Sequence, residues 1–87
     1  MQDDNRLEDS GAVAQLLEAV RNQIAQGDPQ EAAAACQRLQ ERGYSEDEAI
    51  RLIALTLEDA VSEMLKHNQP FDRASYIAAL DRLPEEE

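Results

Sequence analysis

Asp59, Glu63 and His67 recur at intervals of four residues. On a helix that spacing stacks the three side chains on one face. Two carboxylates and an imidazole offer oxygen and nitrogen ligands to a divalent cation. A working site also draws ligands from a second element and orienting hydrogen bonds from an outer shell. One helix face alone therefore gives at most a weak metal candidate at Asp59, Glu63 and His67, and a solvated acidic face is the plainer reading. A di-iron bundle would need two Glu-x-x-His pairs, and the chain has none. Cys36 is the single cysteine and His67 the single histidine. A nucleophile pair would need them adjacent, with the thiol exposed and near positive charge. Cys36 instead falls in register with Ala32, Ala35 and Leu39, the buried stripe of a helix, and reads as a small core residue. His67 falls at a helix end, where a cation complements the dipole. No catalytic or cofactor-binding residue is assigned, no cofactor is expected, and the chain is not read as an enzyme.

The elements that must position these groups are written in stop and start signals. The strongest is Arg42-Gly43-Tyr44-Ser45-Glu46-Asp47-Glu48. Gly43 can adopt the left-handed conformation that ends a helix. Ser45 and Glu48 have the spacing of a reciprocal capping box that begins the next one. Gly27 is a second stop. Asp28-Pro29 is a second start, with Asp28 expected to cap, Pro29 to open the helix and Glu31 to complete a box. Asn68-Gln69-Pro70 is a third break. Beyond it Asp72 is expected to cap a last helix, with Phe71 and Tyr76 as a hydrophobic staple.

Four helices follow, at about 11–26, 29–42, 46–67 and 73–83. The first carries Val13, Leu16, Leu17, Val20 and Ile24 at helical period, capped by Asp9 or Ser10. The second has a thin face of Ala32, Ala35, Cys36 and Leu39. The third is apolar around more than half its circumference, so it is central or lends one side to a partner. The fourth carries Tyr76, Ile77, Leu80 and Leu83. No strand pattern occurs. The expected architecture is an all-α, compact four-helix array with a long central third helix and short loops. Residues 1–9 and 85–87 are read as acidic tails, the former disordered, around a single domain at 10–84.

Composition narrows function by exclusion. The 87 residues carry 19 acids, eight Lys and Arg, and a formal charge of −11. Phosphate backbones are repelled by such a chain, and three aromatic residues give few platforms for stacking bases. No apolar run approaches the roughly 18 residues that span a membrane, and the first residues lack the apolar segment of a secretory signal. A bacterial, cytoplasmic setting is expected, with neither nucleic acid nor membrane as partner.

Three resemblances attach to the Gly43 corner. It resembles a DNA-binding helix-turn-helix, but the recognition helix would open on Glu46, Asp47 and Glu48, with only Arg51 to meet a phosphate. Arg42-Gly43-Tyr44-Ser45 followed by Glu48-Ala49 resembles the loop and second helix of ubiquitin-associated-type domains, which implies partner binding through the Gly-aromatic loop and a helix break near Thr56. Small size, acidity and four helices are similar to acyl carrier proteins, but Ser45 lacks their Asp-Ser-Leu motif. The longest resemblance runs from Gln23 to Leu83. It comprises Gly27-Asp28-Pro29, Leu39-x-x-x-Gly43, Glu48-Ala49, Ile53, Leu57, Pro70-Phe71-Asp72-x-x-x-Tyr76 and Leu80-x-x-Leu83-Pro84. This order resembles small bacterial helical domains of unknown function and implies the same fold. Such domains often place histidines at the positions of Asp47 and Arg51. This chain has neither, so a metal role for that pair does not carry over.

The functional expectation is a noncatalytic interaction or oligomerisation module. Its surface should lie near Leu52, Leu55, Met64 and Leu65, with Tyr44 as a contact or anchor, and should take a protein partner or a second copy as a homodimer. Two alternatives stay open. One is a weak metal-binding or enzyme-accessory domain using Asp59, Glu63 and His67. The other is an acidic mimic of nucleic acid that binds a basic protein.

Overall fold

The computed structural model describes residues 11–84, which form four helices: α1 (Gly11–Gln26), α2 (Gln30–Glu41), α3 (Glu46–His67) and α4 (Arg73–Asp81). The first three end in the same six-residue motif. A left-handed residue follows each helix within two positions, Gly27 at φ 67°, Gly43 at φ 105° and Asn68 at φ 53°. Its N–H bonds the carbonyl three residues back, and the next N–H reaches five back. The pairs are Gly27 to Ile24 and Asp28 to Gln23, Gly43 to Gln40 and Tyr44 to Leu39, Asn68 to Leu65 and Gln69 to Met64, at 3.0–3.4 Å. These Schellman terminations satisfy carbonyls that the helix leaves orphaned. A Cβ built on Gly27 or Gly43 would meet nothing within 4 Å, so backbone conformation, not crowding, favours glycine at both.

Starts are more varied. At α3 the Glu48 N–H donates to Ser45 Oγ (3.1 Å) and the Ser45 N–H to Glu48 Oε1 (2.9 Å), a complete capping box. At α4 the Ser75 N–H donates to Asp72 Oδ1 (3.1 Å), and the Phe71 and Tyr76 rings meet edge to face at 5.9 Å, the anticipated staple. The expected cap at α2 is corrected. Pro29 occupies the cap position and no side chain bonds the first turn. Asp28 turns its carboxylate to Arg73 instead (2.7 Å). Thr56 does not break α3, and its hydroxyl donates to the Leu52 carbonyl one turn back (3.0 Å) rather than capping a new helix. This helix is therefore continuous over 22 residues.

The core is Val20 from α1, Ala32, Ala35, Cys36 and Leu39 from α2, Ala49, Ile50, Ile53, Ala54 and Leu57 from α3, and Tyr76, Leu80 and Leu83 at the C-terminal end. The alanine face of α2 lets it pack closely, and α2 and α3 each contact all three other helices, making them the centre of the array. Helices α1 and α4 lie against that pair and meet each other little. One hydrogen bond ties them across 53 residues, from the Tyr76 hydroxyl to Gln23 Oε1 (2.7 Å). Helix α4 ends at Asp81, two residues short of expectation, and Leu83 remains buried just beyond it. Its C-terminal carbonyls are held from α2, where Arg38 donates Nε to the Leu83 oxygen and Nη2 to the Leu80 oxygen, both at 2.7 Å. The tails expected at 1–9 and 85–87, and the α1 cap at Asp9 or Ser10, lie outside the described residues.

Candidate functional site

Helix α3 is 22 residues long and α4 only nine. A short helix cannot cover the side of a long one. What it leaves is a groove of about 550 Å³ between them, lined also by Gln69 and Pro70 of the connection after His67 and by Tyr44 and Pro84. Tyr76 and Leu83 form its floor and are buried. Half-buried Tyr44, Leu52, Thr56, Ala60, Met64 and Ala79 form its sides. The rim is exposed and carries Leu55, Asp59, Glu63, His67, Asp72 and Arg82.

Helical spacing explains the arrangement. Residues 52, 55, 56, 59, 60, 63, 64 and 67 are all related by steps of three or four, so they share one face of α3. The apolar surplus of α3 therefore lies beside α4, and two of the residue sets singled out above meet there. Tyr44, Leu52, Leu55 and Met64 line the groove together with Asp59, Glu63 and His67. Leu65 does not. It follows Met64 by about 100° around the helix, lies outside the groove and is 71% exposed. The expected patch of four is thus a groove with three of them plus one separate exposed leucine.

The polar members of the rim make short local contacts. His67 Nε2 lies 3.0 Å from Glu63 Oε1, and Lys66 Nζ lies 3.8 Å from Glu63 Oε2. Asp59, one turn earlier, makes no ion pair or hydrogen bond among the described residues. Asp72 is engaged at the start of α4. The Ser75 hydroxyl first, and the Ser75 N–H second, hold its carboxyl below the ordinary aspartate value of 3.8. Burial pushes the Tyr76 phenol up from 10.0 to about 12, against smaller downward pulls from Gln23 and Arg73, so the hydroxyl stays a donor.

Among the described residues no group of three or more His, Cys, Asp and Glu side chains is placed to hold a metal ion. Asp59, Glu63 and His67 share a face, but their geometry is one Glu–His contact beside a separate carboxylate. Cys36 sits in the core at 4% exposure, with Gln40 Nε2 donating to its sulfur (3.3 Å), while His67 lies on the groove rim. Asp47 and Arg51 are exposed on α3 and do not line the groove. No described helix is long and apolar enough to cross a membrane.

Sequence reasoning passed over Arg38, which builds the groove indirectly by fastening α4. A signal was present, because Arg38 stands three residues after Ala35 and next to Leu39, at the edge of the buried stripe where a long stem packs and its head reaches outward. No protein-family model, curated protein or solved structure matches the chain, so a functional reading rests on the geometry of this groove.

Proposed function

We propose that the chain is a noncatalytic protein–protein interaction module whose groove between α3 and α4 receives an apolar segment of another polypeptide. The observation that carries this reading is Leu55, a large aliphatic residue 56% exposed at the lip of a groove already lined by Leu52, Ala60, Met64 and Tyr76. A scattered surface leucine needs no explanation, but one continuous with an apolar trough marks a contact surface. The groove volume falls within the range of about 300–1,000 Å³ typical of binding clefts. A side-chain row at i, i+3, i+4 and i+7 is the usual occupant of such a trough. Met64 adds a flexible, polarizable wall that adapts to the shape it meets. The acidic rim disfavours nucleic acid, since phosphates would be repelled by Asp59 and Glu63.

The test is site-specific photocrosslinking. A photoreactive side chain replacing Leu55 should give a discrete adduct in source cells, and the same group replacing Leu65 should not. Light scattering over a range of concentrations distinguishes a second copy from another protein. Equal crosslinking from both positions, or from neither with a monomer at every concentration, would defeat the reading.

A further inference from the structure

If the groove docks a polypeptide, as proposed above, its charge selects which kind. Three carboxylates stand on its rim, Asp59 and Glu63 one turn apart on α3 and Asp72 at the start of α4. Lys66 and His67 both lean on Glu63. Arg82 lies at the other end of α4 from Asp72 and already has an interaction of its own. Asp59 is left without a cation among the described residues. Arg38 is engaged on the carbonyls of Leu80 and Leu83 and Arg73 on Asp28, and neither Arg21 nor Arg51 lines the groove. The rim therefore presents uncompensated negative charge beside an apolar trough, within a chain whose net charge is −11.

We infer that the occupant is a cationic amphipathic helix from a different protein, with leucine-like side chains along one stripe and lysine or arginine flanking it. From Leu52 to His67 the groove face of α3 runs about 22 Å, which matches a partner helix of about 15 residues. The apolar stripe enters between Leu55 and the Tyr76 floor, and its flanking cations meet Asp59 and Glu63. A second copy is the wrong occupant by the same argument. A two-fold contact sets the same patch against itself, so it would bring each acidic rim against its twin on a protein already carrying excess negative charge. Like charges across an interface work against association, whereas opposite ones steer it.

The test uses the whole chain and two synthetic sixteen-residue helical peptides. Both carry leucines at the same four positions in one stripe. One has lysines beside the stripe and the other glutamates. Affinities are read by fluorescence anisotropy, contacts by amide chemical-shift mapping, and folding of each variant by circular dichroism. The lysine peptide should bind at least tenfold more tightly than the glutamate peptide, with shifts confined to α3 and α4. Leu55→Gln, which is neutral and exposed, should weaken it at least tenfold, and Leu65→Gln should leave it unchanged. Asp59→Asn should weaken it several-fold and reduce its salt dependence. If both peptides bind equally and Leu55→Gln weakens both, the charge inference fails and the groove reading stands. If the chain dimerises, Leu55→Gln abolishes the dimer and neither peptide competes, the occupant is a second copy and the inference again fails alone. If the lysine peptide binds but ignores Leu55→Gln, or neither peptide binds and the chain stays monomeric, both readings fail.

Discussion

Arg38 offers the sharpest check on how the groove is built. Its guanidinium donates to the carbonyl oxygens of Leu80 and Leu83, each at 2.7 Å, and so fastens the C-terminal end of α4 to α2. Hydrogen bonds with a charged partner contribute about 1.5–3 kcal/mol each. Full additivity is not expected, because Leu80 O also accepts from the Leu83 N–H (3.1 Å) and keeps a partner when Arg38 is removed. Arg38→Met keeps most of the aliphatic stem and deletes the donors, so its cost should be about 2–3 kcal/mol. For a domain of this size that lowers the melting temperature by roughly 10–20 °C. Arg38→Lys restores one point donor without the fork and should fall between the two. The assay is urea and thermal unfolding by far-ultraviolet circular dichroism, with amide hydrogen exchange to locate the loss. Protection should fall first in α4. A melting temperature within about 2 °C of the parent would mean that burial of Leu80 and Leu83 alone holds the helix, and the account of the groove wall would be wrong.

Three further outcomes are expected. Gly43→Ala meets no steric obstacle, so its whole cost is the positive φ, and it should destabilise by about 1–2 kcal/mol in urea unfolding. Tyr76 keeps its proton to about pH 12 when folded, against 10.0 otherwise. The raised value means its contribution is fully present below pH 10 and is lost as pH rises through 12, at up to about 1.4 kcal/mol per pH unit. Tyr76→Phe should flatten that alkaline decline while costing about 1 kcal/mol at neutral pH for the lost bond to Gln23. Asp72 has the opposite sign, because its folded value lies below 3.8. Its contribution is present above that value and is lost as pH falls through the depressed folded value, so Asp72→Asn should melt with a shallower acid dependence than the parent.

Much of this architecture was legible because its punctuation is local. Gly27, Gly43 and Asn68 end helices through bonds that span six residues, and Ser45 and Glu48 begin one through a bond pair that spans four. Physics of that range is readable from neighbours. Asp28 shows where such reading stops. Its sequence context is that of a helix cap, but a guanidinium 45 residues away competes for the same carboxylate and wins. The early end of α4 is local in origin, since the Arg82 and Leu83 N–H groups bond only three residues back, to Ala79 and Leu80, and Pro84 has no N–H to continue the ladder. The groove was half legible. The surplus apolar face at Leu52, Leu55 and Met64 follows from periodicity, but only the docking of α4 shows that Leu65 falls outside the trough and that Asp59 and Glu63 stand over it.

The nine residues of α4 have a thermodynamic consequence. A helix shorter than about 12 residues has little stability of its own, so α4 persists through what it touches: Tyr76, Leu80 and Leu83 in the core, Arg38 at one end and Gln23 across the array. The groove runs along the seam between this docked helix and α3. A ligand that fills the seam and binds only the closed form adds RT ln(1 + [L]/Kd) to its stability, about 2.7 kcal/mol at a hundredfold excess over Kd. Occupancy should therefore be visible as slowed amide exchange in α4 before it is visible in any change of shape. Substitutions that loosen the seam should weaken binding from positions that no partner touches.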